Sequence, residues 1–257
     1  MGFLEEASRV TRRYRCTGGV AARRGFVEAL RKGRQARGLG VIGEFKRCAP
    51  GRFIALHDPW WYAQHLAPYV DAFSVLTEPF WFCGSPELIP VFSPHRPVLG
   101  KDFVECESQV DLLASHGAAA ILLILDELGW KKLETLYEYA RSLGLDALIE
   151  TSSGRDAVEA ASSYPDAAVG INARNLQTLE LSFERLLDEL RYAAERVPDS
   201  TILVAESSMD SVEKVVEAMK AGAKAVLIGT WFMKEPDAAA RLYSALLGAK
   251  QGMQHNT

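Results

Sequence analysis

Five ionisable side chains and one amide stand at the ends of short apolar runs. Glu44 and Lys46 close the segment Val41 to Lys46, Lys101 closes Pro97 to Lys101, and Glu150 closes Ala147 to Glu150. Asn172 closes Val169 to Asn172, and Glu206 closes Ile202 to Glu206. Ammonium groups held close together lower each other's pKa and neighbouring carboxylates raise it. A cluster of Lys46, Lys101, Glu44, Glu150 and Glu206 could therefore supply both an acid and a base near neutrality. The competing reading is a buried salt-bridge network without chemistry, which is costly unless every charge is well paired. Convergence requires that the strands carrying these residues point the same way and close into a ring.

The pattern between the site residues predicts such a ring. Apolar runs fall at 41–46, 71–76, 97–101, 119–124, 146–150, 167–172, 201–206 and 224–229. They are near-continuous rather than alternating, as in strands covered on both faces. Between them the period becomes helical: Leu133, Leu136, Tyr137, Ala140 and Leu143 form one stripe ended by Gly144, and Val212, Val215, Val216 and Met219 another ended by Gly222. Asp58-Pro59 and Ser85-Pro86 each place a capping side chain before a proline in a first helical turn. Eight strand-helix units in 257 residues predict an α/β fold of the (β/α)8 TIM-barrel type. A doubly wound sheet is the rival, but no glycine-rich dinucleotide fingerprint follows the first strand. The expected division is an N-terminal basic helical extension at 1–40, a barrel at 41–250 and a tail at 251–257, one domain overall.

Composition narrows the function. A hydrophobic content of 48% supports a large core, and no apolar stretch or leader resembles a membrane span or signal peptide. Residues 1–40 hold nine Arg and one Lys against three Glu, a balance of +7, which leaves −11 for the rest of a chain of net −4. That arm could draw an anionic substrate towards the barrel. It lacks the aromatic interleaving of a nucleic-acid surface, and Phe26, Val27, Ala29 and Leu30 give it an apolar face for docking, so no nucleic-acid partner is expected. Cys16, Cys48, Cys83 and Cys106 show no spacing typical of metal or of a disulfide framework, which points to a reducing, cytoplasmic setting. Cys48, two residues beyond Lys46, has no accompanying histidine motif and reads as a packing residue. The five histidines offer no metal-ligand spacing, so no metal is expected.

The strand-end motifs, taken in order, resemble the indole-3-glycerol phosphate synthases of tryptophan biosynthesis, from about Gly25 to about Leu247. The resemblance rests on Gly43-Glu44-Phe45-Lys46-Arg47-Cys48-Ala49-Pro50, Ser74-Val75-Leu76-Thr77-Glu78 with Phe82-Cys83-Gly84-Ser85, Lys101-Asp102-Phe103 and Leu122-Leu123-Ile124. It continues through Ile149-Glu150, Gly170-Ile171-Asn172-Ala173-Arg174-Asn175-Leu176, Ala205-Glu206-Ser207 and Leu227-Ile228-Gly229. Each motif alone is weak, whereas their order and spacing together are specific.

The resemblance implies a carboxy-lyase that converts 1-(2-carboxyphenylamino)-1-deoxyribulose 5-phosphate into indole-3-glycerol phosphate with loss of carbon dioxide and water, and needs no cofactor. It implies Lys101 as the general acid of ring closure, Glu150 as base or cation stabiliser, and Lys46 near the substrate carboxylate. Glu44, Asn172 and Glu206 would orient these groups and the substrate hydroxyls. Pro50, Phe82, Phe103 and Leu122 would wall the aromatic ring, and Arg174 would meet a carboxylate or phosphate. Ser207, Ser208, Gly229 and Thr230 would hold the phosphate. The chain departs from the family there: Ser208 stands where glycine is usual, Ala49 where serine is usual and Trp231 where a small residue is common. Weaker phosphate binding or a shifted anion is the expectation. A monomer or weak homo-oligomer acting on a small phosphorylated molecule completes the reading. Two alternatives share these residues: a phosphate-binding barrel enzyme with a shifted substrate, and a non-catalytic ligand-binding paralogue.

Overall fold

The computed structural model describes residues 25–49, 53–172 and 182–254. Eight parallel strands form a closed barrel: β1 (Gly40–Phe45), β2 (Ala72–Leu76), β3 (Val98–Lys101), β4 (Ala120–Ile124), β5 (Asp146–Thr151), β6 (Ala168–Asn172), β7 (Ile202–Glu206) and β8 (Ala225–Ile228). Each pairs with its neighbours in chain order, and β1 closes the ring against β8, with Gly43 opposite Ile228. The apolar runs mark these strands to within a residue, because both faces of each strand are covered.

The helices follow as α1 (Phe26–Arg37), α2 (Pro59–Leu66), α3 (Ile89–Phe92), α4 (Glu107–Ser115), α5 (Leu125–Ser142), α6 (Gly154–Ser163), α7 (Phe183–Ala194), α8 (Val212–Lys220), α9 (Thr230–Lys234) and α10 (Ala238–Gln254). Asp58 caps α2 as its sequence suggests, its Oδ1 accepting the Trp61 amide at 2.8 Å. Ser85 does not cap: a short 3-10 turn, Pro86–Leu88, follows it, and its hydroxyl donates to Glu87 at 2.6 Å instead. Gly144 and Gly222 end α5 and α8 with φ of 78° and 110°, the left-handed geometry that favours glycine. α10 continues past residue 250 to Gln254.

Side chains alternate between two cores. On β1, Ile42 belongs to the barrel interior, while Val41 and Phe45 belong to the layer between strands and helices. Phe26, Val27 and Leu30 of α1 join the interior cluster. The Val27 amide donates to Asp146, the first residue of β5, at 3.2 Å. α1 therefore plugs the end of the barrel where the strands begin. Gly40 makes this contact possible, since a Cβ there would lie 2.9 Å from the Leu30 carbonyl oxygen. Residues 1–24 lie outside the described residues.

The cysteine reading is corrected here. Cys48 and Cys83 form a disulfide with Cα atoms 5.7 Å apart and a sequence separation of 35. Cys48 belongs to a two-residue ladder, Cys48–Ala49 against Phe53–Ile54, that turns the segment after β1 towards the loop after β2. Only that fold brings the two sulfurs together, so their spacing carried no signal. Closing such a loop removes on the order of 3–4 kcal/mol of denatured-chain entropy. Disulfides occur in oxidising compartments and also inside cells of hyperthermophiles, so cysteine usage does not locate this protein. Among the described residues, no helix is long and apolar enough to cross a membrane.

Candidate active site

The period-two alternation of a strand places every candidate catalytic group. Ile42 faces the barrel interior, so Glu44, two residues on, does too. The same step leads from Leu99 to Lys101, from Leu148 to Glu150 and from Val204 to Glu206. On β6 it leads from Ala168 through Gly170 to Asn172. These residues, with Lys46, line one cavity of about 740 Å³ at the end where the strands finish. The cavity also holds Phe82, Phe103, Leu122, Ser207, Ser208, Gly229 and Thr230. Pro50 and Arg174 lie outside the described residues.

Glu44 joins both lysines. Its Oε1 lies 2.7 Å from Lys46 Nζ and its Oε2 lies 3.4 Å from Lys101 Nζ. Lys101 also lies 3.4 Å from Glu206 Oε2. Asn172 donates through Nδ2 to Glu150 Oε1 at 2.8 Å, which fixes that carboxylate. Glu44, Glu150 and Glu206 are at most 3% exposed. The cluster thus has three buried carboxyl groups for two ammonium groups.

That imbalance sets the proton affinities. Burial pushes the Glu44 carboxyl up, but the Lys46 and Lys101 charges outweigh burial and hold it below its ordinary range. Burial alone would lower the Lys101 ammonium, yet Glu44, Glu206 and Glu150 prevail and raise it. Carboxylates therefore decide the proton affinity of Lys101. Burial first, and the charge of Glu150 second, push Glu206 up to about 8 against the opposing pull of Lys101. Glu206 Oε1 accepts no hydrogen bond among the described residues, and a side-chain hydrogen bond with Glu150 adds to the rise in its proton affinity.

Two glycines make room for this arrangement. A Cβ on Gly170 would stand 2.0 Å from Glu206 Oε1, and one on Gly229 would stand 2.2 Å from Glu44 Oε1 and 2.8 Å from Lys46 Nζ. Gly229 therefore serves the Glu44–Lys46 pair, whatever else it binds. Ser207 and Ser208 both have positive φ, 65° and 57°. The strain expected where serine replaces glycine thus falls on two consecutive residues, at about 1–2 kcal/mol each. Trp231 is half-buried on the cavity wall, its ring 5.6 Å from that of Phe232.

Sequence reasoning assigned no role to Glu78, Asp102 or Lys234, which line the same cavity. Asp102 accepts from the Thr77 hydroxyl at 2.6 Å and from the Phe103 amide at 2.9 Å, fixing the segment after Lys101. Pro79 was the available signal for Glu78, since its fixed φ favours a turn directly after the acidic residue. A shallower hollow of about 660 Å³ lies outside the barrel around Cys106 and Lys132 and contains none of the strand-end groups. Among the described residues, no group of three or more His, Cys, Asp or Glu is arranged to hold a metal ion.

A closed parallel barrel with half-buried lysines and buried carboxyl groups converging where its strands end defines a barrel enzyme with its site at that end. The family model for indole-3-glycerol phosphate synthase matches residues 6–244, and the chain belongs to that family. The indole-3-glycerol phosphate synthase of Aeropyrum pernix is 44% identical over 82% of this chain and 81% of its own length. That of Campylobacter concisus is 36% identical over 83% of this chain and 80% of its own. Among solved structures, a tryptophan synthase alpha-subunit from Pyrococcus furiosus superposes with a TM-score of 0.59 at 16% identity, covering 80% of this chain and 96% of that one. This last likeness speaks to the fold alone.

Proposed function

We propose that the rim cluster carries out the family's reaction, ring closure of 1-(2-carboxyphenylamino)-1-deoxyribulose 5-phosphate with loss of carbon dioxide and water to give indole-3-glycerol phosphate. The observation that carries this reading is the position of Lys101, held 3.4 Å from both Glu44 and Glu206 inside the cavity. Its raised proton affinity keeps Lys101 loaded as the acid that protonates the ribulose carbonyl while the aromatic carbon attacks. Glu150, oriented by Asn172, takes the proton released in the later dehydration or stabilises the cationic intermediate. Glu206 holds a proton at neutral pH and can donate to a substrate hydroxyl. Glu44 keeps both lysines in place, and Lys46 meets the substrate carboxylate.

Phe82, Phe103 and Leu122 supply the apolar wall for the anthranilate ring. The rings of Phe82 and Phe103 are 6.4 Å apart, and Leu122 is buried beneath the cavity. At the other side, Ser207, Ser208, Gly229 and Thr230 form the phosphate end, where Lys234 adds a cation. The double positive-φ turn and Trp231 favour a weaker or displaced phosphate relative to a glycine-containing loop. A cytoplasmic setting belongs to this reading through its biosynthetic chemistry, not through cysteine usage.

The test is turnover of the carboxyphenylamino substrate, followed by the fluorescence of its indole product. Turnover supports the assignment. Binding of the substrate without turnover would favour a non-catalytic paralogue, and failure to bind would favour a barrel enzyme with another substrate.

A further inference from the structure

Glu78 lines the cavity wall yet takes part in no step described above. It is 7% exposed, and both carboxyl oxygens are engaged by main chain. Oε1 accepts the Phe80 amide at 2.8 Å, while Oε2 accepts the amides of Trp81 at 2.7 Å and Phe82 at 3.1 Å. The Glu78 carbonyl accepts a further amide, that of Gly84, at 2.8 Å. The loop is fastened from its other side as well, by the Cys48 amide donating to the Phe82 carbonyl at 3.3 Å and by the Cys48–Cys83 disulfide.

Apolar burial does little to hold this loop. Phe80 and Trp81 are 88% and 62% exposed, and of the three aromatic residues only Phe82 lines the cavity. A segment with so few buried apolar contacts opens readily unless other bonds fix it. Here those bonds fall on residues 80–84, the segment centred on Phe82.

We propose that Glu78 is a positioning residue for the substrate's aromatic ring: with the Cys48–Cys83 bond it holds Phe82 ready as the ring wall before substrate arrives. This rests on the reading of Phe82 given above. Preordering removes a cost that would otherwise fall on binding, so its loss weakens affinity more than it slows the chemical step. Glutamine in place of Glu78 would set an NH2 group against backbone donors that now meet a carboxylate oxygen. Reduction by dithiothreitol would release one of the two fastenings. The dithiol gives up two electrons and two protons, Cys48 and Cys83 become thiols, and the reductant leaves as its own cyclic disulfide.

The experiment measures KM and kcat for the wild type, Phe82→Ala, Glu78→Gln and the double variant, with inorganic phosphate as a competing inhibitor to monitor the opposite end of the cavity. Phe82→Ala and Glu78→Gln are each expected to raise KM about tenfold with kcat within about threefold, the scale of a lost aromatic contact. The double variant should be no worse than Phe82→Ala, and phosphate inhibition should be unchanged. Dithiothreitol should raise KM of the wild type but not of Phe82→Ala. An unchanged KM in Phe82→Ala would overturn the ring-wall reading and the role of Glu78 with it. A raised KM in Phe82→Ala, with Glu78→Gln either silent or fully additive to it, would leave the wall standing and overturn the role of Glu78 alone. Should Glu78→Gln fail to fold, Glu78→Asp, which keeps the charge on a shorter arm, and the dithiothreitol comparison carry the same contrast.

Discussion

Buried ion pairs sit near both ends of the barrel, and they are built on opposite terms. Near the closed end, Arg37 of α1 bonds Asp71, just ahead of β2, one cation to one carboxylate. Asp71 also accepts the Val41 amide at 2.8 Å, and Arg37 lies 4.9 Å from the centre of the Tyr243 ring. Gly33 admits the pair, since a Cβ there would stand 2.1 Å from the Asp71 carboxylate. Its one loose end among the described residues is Arg37 Nε, which makes no hydrogen bond. At the open end, Glu44 bonds both Lys46 and Lys101, Glu206 shares Lys101, and burial beside the charge of Glu150 raises the proton affinity of Glu206. A balanced pair fixes α1 against the barrel. An unbalanced cluster keeps groups whose protonation can change, which is what catalysis requires.

That contrast is broken or sharpened by substitution at each end. The largest effect is expected from Glu150→Gln, which removes the base and returns Glu206 towards ordinary carboxyl behaviour. Turnover should fall by about 10²–10⁴, the usual worth of a positioned acid or base, while a denaturant titration shows a fold of near wild-type stability. At the closed end the outcome should be reversed. Arg37→Met leaves Asp71 buried without its partner and should cost about 3–5 kcal/mol of stability, with turnover per folded molecule unchanged. Loss of turnover without loss of stability in Arg37→Met would mean that the two ends are not separate in function.

The pH dependence of stability gives a finer test. The Glu206 carboxyl has a folded-state pKa raised above its unfolded value, so the folded state binds the extra proton. Its contribution is complete below the ordinary glutamate range and is lost as pH rises to about 8. Wild-type stability should therefore decline across that window, and Glu206→Gln should remove much of the decline. An equal slope in both proteins would place the buried proton elsewhere. The smallest effect is expected in the loop after β7, proposed above to hold phosphate. Ser208→Gly relieves about 1–2 kcal/mol of left-handed strain but adds about 0.4–1 kcal/mol of unfolded-chain entropy. A net gain of about 0–1.6 kcal/mol should appear in thermal unfolding, with tighter inhibition by inorganic phosphate.

The barrel could be read from the sequence because its period and punctuation are local. Runs buried on both faces, Asp58 before Pro59, and glycines after two helical stripes each depend on residues close together in the chain. The convergence of polar groups on one cavity was legible because they close apolar runs, and Glu44, Lys101, Glu150 and Glu206 each lie two positions beyond an interior apolar residue. What the sequence did not yield depends on distant encounters. Cys48 meets Cys83 only after β1 and β2 have paired and the hairpin has turned. Gly170 and Gly229 are fixed by carboxylates from neighbouring strands, not by turns of their own. Which influence would prevail at Lys101 was not legible, and the three carboxyl groups across the ring decide its proton affinity.

The claim that most needs testing is that Lys101, poised between Glu44 and Glu206, is the acid of ring closure. The direct measurement is the rate of indole product formation by wild type and Lys101→Met at saturating substrate, with folding of both verified by circular dichroism. A fall of about 10² or more in the variant is the expected result. A folded Lys101→Met enzyme working within tenfold of the wild-type rate would contradict it.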